Sequence, residues 1–205
     1  MTDRQPSKTA SRTVTIWLDP VCPFSWNTAR WLSTAAETAA LDIDWRLMSL
    51  AILNAQRQLP PPQQARMHDS RHVGRLMVAL RAELGADAVA KAYFAFGHRY
   101  FDESAAIDDD LVTHVLAAAG AHTVTAAALS DASLDGIIND LHQASQDALG
   151  EATGSPIITI DGHTMFGPVL TSVPASDEAS ALFEAVATLV CTSEFTQLER
   201  PRTHA

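Results

Sequence analysis

The spacing of apolar positions changes several times along the chain, and each change marks an element. Thr13-Val-Thr-Ile-Trp-Leu18 crowds β-branched and aromatic residues together and halts at Asp19-Pro20, which predicts a strand over about residues 13–18. Pro23 suits the first turn of a helix, where its missing N–H costs nothing, and good helix formers continue from Phe24 to Ala39. Ile43 to Met48 alternates apolar and polar residues, predicting a second strand and completing a β-α-β unit.

Pro60-Pro61-Pro62 then makes a stiff break. From there to Gly150 the period is helical throughout: Val73, Leu76, Met77, Leu80 and Leu84 form one apolar face, Leu111, Val115 and Leu116 begin another, and Leu134, Ile137, Ile138 and Leu141 form a third. In the same stretch Tyr93, Phe96 and Tyr100 share a face, with Phe94 and Phe101 near another, as expected of residues packing a helical core. Strand character returns at Pro156 to Ile160, turns at Asp161-Gly162 and resumes at His163 to Phe166, the signature of a two-residue hairpin. A last helix is expected over about Ser176 to Cys191. The order β-α-β, helices, β-β-α predicts an α/β protein with a thioredoxin-like core and a large all-helical insertion that caps the active edge of the sheet. The expected division is a flexible tail at residues 1–12, a discontinuous thioredoxin-like domain at 13–59 and 151–200, and a helical insertion domain at 60–150. No internal repeat or low-complexity tract interrupts it.

Composition narrows the setting. The chain has 205 residues, 47% hydrophobic and 19% charged, enough to bury a sizeable core. Its formal net charge of −10 argues against a nucleic-acid surface, which needs clustered Lys and Arg, and leaves small molecules or basic partners. The opening stretch lacks the apolar core of a signal peptide, and no run is apolar for the length a bilayer demands, so the expected location is cytoplasmic and no membrane partner is expected. Two cysteines do not make a disulfide framework, and a reducing compartment keeps them as thiols.

Candidate chemistry therefore centres on Cys22, at the predicted start of the first helix. Unpaired N–H groups and the positive end of the helix dipole stabilise a thiolate there, lowering a pKa of about 8.5 to roughly 3.5–7.5. Ser25, one turn on, offers a hydroxyl and an N–H to the sulfur, and it stands where a Cys-x-x-Cys motif would carry its second thiol. An attack by Cys22 on a disulfide therefore has no internal resolving thiol, and an external low-molecular-weight thiol must release the adduct. A free cysteine also serves as a small buried apolar residue; the helix start and Pro23 favour the reactive reading. Gly154-Ser155-Pro156 precedes a strand. A cis peptide there would expose the Ser155 backbone beside the thiol, whereas the residues alone favour an ordinary trans proline opening an edge strand.

Other features carry less. His68 and His72, four apart, lack a third metal ligand and read as a solvated helix face, so no metal is expected. Asp108-Asp109-Asp110 reads as a helix start, and Cys191 as a buried residue of the last helix.

Asp19-Pro-Val-Cys-Pro-Phe-Ser-Trp26 with Arg30-Trp31, Met48-Ser-Leu-Ala-Ile-Leu-Asn54, Gly154-Ser-Pro156 and Phe166-Gly-Pro-Val-Leu170 together resemble the DsbA-family proteins of actinobacteria described as mycothiol-dependent nitroreductases. The resemblance covers nearly the whole chain after the tail. It implies a thioredoxin fold with a helical insertion, a cis proline at Pro156, and mycothiol as the reductant of nitro-containing or other electrophilic small molecules or mixed disulfides, with a thiol-recycling redox protein as a further expected partner. The family commonly has Cys-Pro-Trp-Cys where this chain has Cys22-Pro23-Phe24-Ser25, so a monothiol cycle is expected. The resemblance further implies that Asn54 faces the pocket with Trp26 nearby, that Phe24 stands at a substrate-contacting position, and that Phe166 shapes a wall beside the cysteine. By position in its strand alone, Phe166 is equally a core residue. Two other functions fit the architecture: a transferase or isomerase of the kappa glutathione transferase kind, with Cys22 or Ser25 polarising a bound thiol, and a non-catalytic binding module or holdase.

Overall fold

A computed structural model describes residues 11–201, so the expected flexible tail lies mostly outside the described residues. Strand β1 (Arg12–Leu18) begins earlier than expected, because Arg12 already pairs with Leu41. Helix α1 (Pro23–Ala36) follows with Pro23 in its first turn, and strand β2 (Leu41–Leu47) runs parallel to β1. Strands β3 (Ile157–Ile160) and β4 (His163–Phe166) form the expected hairpin, and β3 pairs antiparallel with β1. Asp161 and Gly162 have φ of 48° and 87°, the left-handed pair that a two-residue hairpin turn requires. The resulting sheet order is β2-β1-β3-β4. Together with the helices inserted between β2 and β3, this is the thioredoxin-like α/β fold with a DsbA-like helical insertion.

Because β3 lies between β1 and β4, Pro156 opens an internal strand, and the Ser155–Pro156 peptide is cis. The residue-based expectation of a trans proline on an edge strand is therefore corrected. Its N–H-free nitrogen sits just ahead of the paired residues and removes no ladder hydrogen bond. Gly167–Pro168 is a second cis peptide.

The inserted helices are α2 (Leu50–Leu53), α3 (Pro61–Leu84), α4 (Ala86–Gly97), α5 (Asp109–Ala119) and α6 (Asp135–Leu149). Pro60 and Pro61 open α3, and the Asp108 carboxylate accepts from Leu111 N at 3.0 Å to cap α5, as its sequence indicates. A single π-helical turn, residues 98–102, continues α4. Helix α7 (Ala179–Val190) closes the chain.

One face of the sheet (Val14, Ile16, Leu18, Ile158, Ile160) packs against α1 and α7. A second core joins Val21 and Leu47 to α3, α4 and α5. Each fully buried aliphatic side chain contributes about 1.5–3 kcal/mol. Ile137, expected on an apolar face, is exposed, while its neighbour Ile138 is buried. Cys191 is half-buried rather than buried, because it follows the last turn of α7. The aromatic residues divide between the cores: Tyr93, Phe94 and Phe101 join the sheet core, Phe96 and Tyr100 the helical one. Among the described residues no helix is long and apolar enough to cross a membrane.

Candidate active site

Where β1 runs out, Asp19 turns the chain into α1. Its buried carboxylate accepts from Val21 N at 2.9 Å through Oδ1, and from Leu50 N at 2.7 Å and the Ser70 hydroxyl at 2.6 Å through Oδ2. One side chain thus fastens the loop before α1 to the start of α2 and to the first half of α3. Burial pushes the carboxyl above its ordinary value, although all three donors and the Arg66 charge oppose the shift. The aspartate–proline start of a turn, with the carboxylate bonded two residues on, is the signal that marks Asp19 in the sequence. Ser70, contributed by another helix, has no such signal.

Cys22 is the N-cap residue of α1, with its N–H bonded to Asp19 O at 3.2 Å. Its side chain is buried, and the thiol donates to the Ser155 carbonyl across 3.5 Å. The Ser25 and Ser155 hydroxyls form a short hydrogen bond, and Ser155 Oγ also accepts from Asp19 N at 2.9 Å. Cys22 and Ser25 in the first turn of α1 and Ser155, 133 positions beyond Cys22 and just before the cis Pro156, are thereby brought together.

The electrostatic outcome differs from the expectation drawn from the helix start. Burial pushes the Cys22 thiol above its ordinary value. The N–H and hydroxyl of Ser25 and the N–H of Phe24 pull it down, but they do not overcome desolvation, and the nearby Asp19 carboxylate adds to the rise. The resting group is a neutral thiol, in keeping with its role as donor to Ser155.

The other expected residues lie further out. Phe24 is half-buried in the first turn of α1. Trp26 is buried in the sheet core, stacked with Phe101 and donating through Nε1 to Asp102 at 3.1 Å. Arg30 lies over the Trp26 ring, 4.9 Å from its centroid, and also pairs with Asp102. Asn54 caps the C-terminal end of α2, donating to Leu50 O at 2.8 Å, and lines a cleft that does not include Cys22. Phe166 ends the edge strand β4, 40% exposed, with its ring beside Gly154. Tyr93 joins the site unannounced: its hydroxyl is buried with no hydrogen-bond partner among the described residues, and burial, followed by the charges of Cys22 and Asp19, pushes its pKa well above the ordinary value. Its spacing marks only a core aromatic residue. Among the described residues no group of three or more His, Cys, Asp or Glu could hold a metal ion.

The family model described as Rv2466c-like, mycothiol-dependent nitroreductase Rv2466c, matches residues 21–200. Rv2286c of Mycobacterium tuberculosis, described as an uncharacterized protein, is 27% identical over 195 residues, 94% of this chain and 84% of that one. Among solved structures, the cytosolic disulfide reductase DsbM of Pseudomonas aeruginosa is similar with a TM-score of 0.53 at 18% identity, over 86% of this chain and 99% of that one. MdbA of Corynebacterium diphtheriae, a thiol-disulfide oxidoreductase, is similar with a TM-score of 0.54 at 13% identity, over 87% and 84%.

Proposed function

The chain belongs to the Rv2466c-like family and is a thiol-dependent oxidoreductase, and from that premise we propose that it works through Cys22 in a monothiol cycle with mycothiol as reductant. The observation that carries this reading is the sulfur at the start of α1, facing the Ser155 carbonyl, with a hydroxyl at Ser25 in place of a second thiol. In the cycle the Cys22 thiolate attacks one sulfur of a disulfide. The S–S bond breaks, and the departing thiolate takes up the proton that Cys22 gave up. A mycothiol thiolate then attacks the adduct, breaking its S–S bond and releasing a new disulfide, and the Cys22 thiolate so freed takes up the proton that mycothiol lost. For a nitro compound, two mycothiols supply two electrons and two protons, yielding a nitroso group, water and one mycothiol disulfide.

Pro23 sets the helix start, and Ser25 with the N–H groups around it stabilises the thiolate once formed. Ser155 and Pro156 offer a backbone clamp to the thiol partner. Phe24 and Phe166 contact the incoming molecules, and Trp26 holds the first turns of α1 from inside the core. The substrate is an electrophilic small molecule, a thiol-recycling redox protein regenerates the reductant, and the reaction takes place in the cytoplasm. Intact-mass spectrometry after incubation with mycothiol disulfide tests the cycle. One mycothiol adduct is expected, retained in Cys191→Ser and lost in Cys22→Ser. An adduct on Cys191 alone, or none, refutes it.

The raised Cys22 pKa favours one second reading, a transferase or isomerase in which a neutral Cys22 or Ser25 orients a bound thiol. It predicts turnover with no covalent adduct on Cys22.

A further inference from the structure

A cleft of about 760 Å³ opens between the end of α2 and the first half of α3, within the size range of small-molecule sites. Arg57, His68, Arg71, His72 and Arg75 line it, and among the described residues neither Asp nor Glu does. In a chain with 24 acidic residues against 14 Lys and Arg, that lining concentrates positive potential in one concave place.

The basic groups are not equally committed. Arg75 is consumed by a two-pronged ion pair with Asp135, at 2.7 and 2.8 Å. Among the described residues Arg57 bonds only the neutral Asn54 Oδ1, at 3.3 Å, and forms no ion pair. Arg71 forms neither ion pair nor hydrogen bond among the described residues. The His68 and His72 rings lie 3.8 Å apart between centroids. Burial, followed by the charges of His68, Arg75 and Arg71, lowers the His72 pKa against the opposing Asp69. His68 Nδ1 lies 3.8 Å from Asp69 Oδ1 and the Arg71 charge is felt by Asp135, but neither carboxylate lines the cleft and no ion pair holds the Arg57 or Arg71 guanidinium among the described residues; planar guanidinium groups match carboxylate and phosphate geometry.

We propose that this cleft is an anion-binding site that holds the carboxylate or phosphate group of a small molecule between Arg57 and Arg71, with His68 and His72 as further donors. The cleft and the thiol share one hydrogen-bonded wall: Ala51, which lines the cleft, donates to the Ser70 hydroxyl that is bound to Asp19. Cys22 itself is not part of the lining, so the inference stands whether or not Cys22 is the nucleophile. The acidic remainder of the molecule disfavours a polyanion.

The test follows the imidazole NMR signals of His68 and His72 in the full chain, titrated at constant ionic strength with inorganic phosphate and, separately, with benzoate. At least one anion is expected to shift both signals saturably, and the tighter of the two identifies the recognised group. Arg71→Gln and Arg57→Gln are expected to weaken that binding about tenfold each, the loss of one charge-assisted contact. Arg57 and Arg71 are exposed, so both variants are expected to keep the wild-type urea midpoint. Cys22→Ser is expected to bind as tightly as wild type, which separates this result from any failure of the thiol cycle. Shifts that do not saturate with either anion overturn the proposal. So do wild-type affinity in both arginine variants, or tighter binding of a duplex oligonucleotide than of either small anion.

Discussion

Cys22 combines two opposing influences. The helix start and the donors of Phe24 and Ser25 favour its anion, while burial and Asp19 favour its protonated form and prevail. Because the folded thiol pKa is raised above the ordinary value, the folded state keeps its proton where the unfolded chain loses it. The corresponding stability is intact below the ordinary value and is lost as pH rises through the folded one. Alkylation of Cys22 by iodoacetamide, followed by mass spectrometry in a Cys191→Ser background, is therefore expected to be slow at neutral pH. Its rate is expected to climb with a midpoint above that of a free cysteine, and a midpoint near neutrality contradicts the burial argument. The position of the thiol at a helix start is legible from Pro23 and the strand before it. Its protonation state is not, because Ser155 and Asp19 set it together with everything else that buries the sulfur.

Periodicity locates the regular elements well where a segment is long or its turn chemistry is specific. The Asp161-Gly162 hairpin and the Asp108 cap of α5 are local matters of φ and of one hydrogen bond. Less legible are the four-residue α2, whose first N–H is bonded to Asp19, and the π-helical turn at 98–102, which carries Asp102 to Trp26 and Arg30. Both serve partners far away in sequence. The approach of α4 to α1 depends on Gly97: a Cβ there would lie 2.4 Å from the Trp26 ring. Gly97→Ala is expected to destabilise the protein by about 1–3 kcal/mol through overpacking. Urea denaturation checks this, and an unchanged midpoint would show that the two helices separate freely.

Across the molecule, α3 links the sheet side to the outer helices. Ser70 reaches the Asp19 carboxylate from one part of the helix, and Arg75, 8% exposed, clasps Asp135 of α6 and reaches Leu129 O at 3.3 Å from the next turn. Arg75→Met removes one partner of a half-exposed ion pair and is expected to cost about 1–3 kcal/mol. The double variant with Asp135→Asn is expected to cost less than the sum of the two single changes, as a double-mutant cycle of denaturation midpoints would reveal. Strand and helix order, the hairpin, the thiol at a helix start and its missing second cysteine are all written locally in the chain, because backbone propensity, apolar period and capping act over a few residues. The cis geometry before Pro156, the neutral state of the thiol, the burial of Trp26 and the gathering of Arg57 with Arg71, His68 and His72 in one cleft came from the packed molecule. Desolvation, charge neighbourhood and cavity shape depend on which distant segments the fold brings into contact.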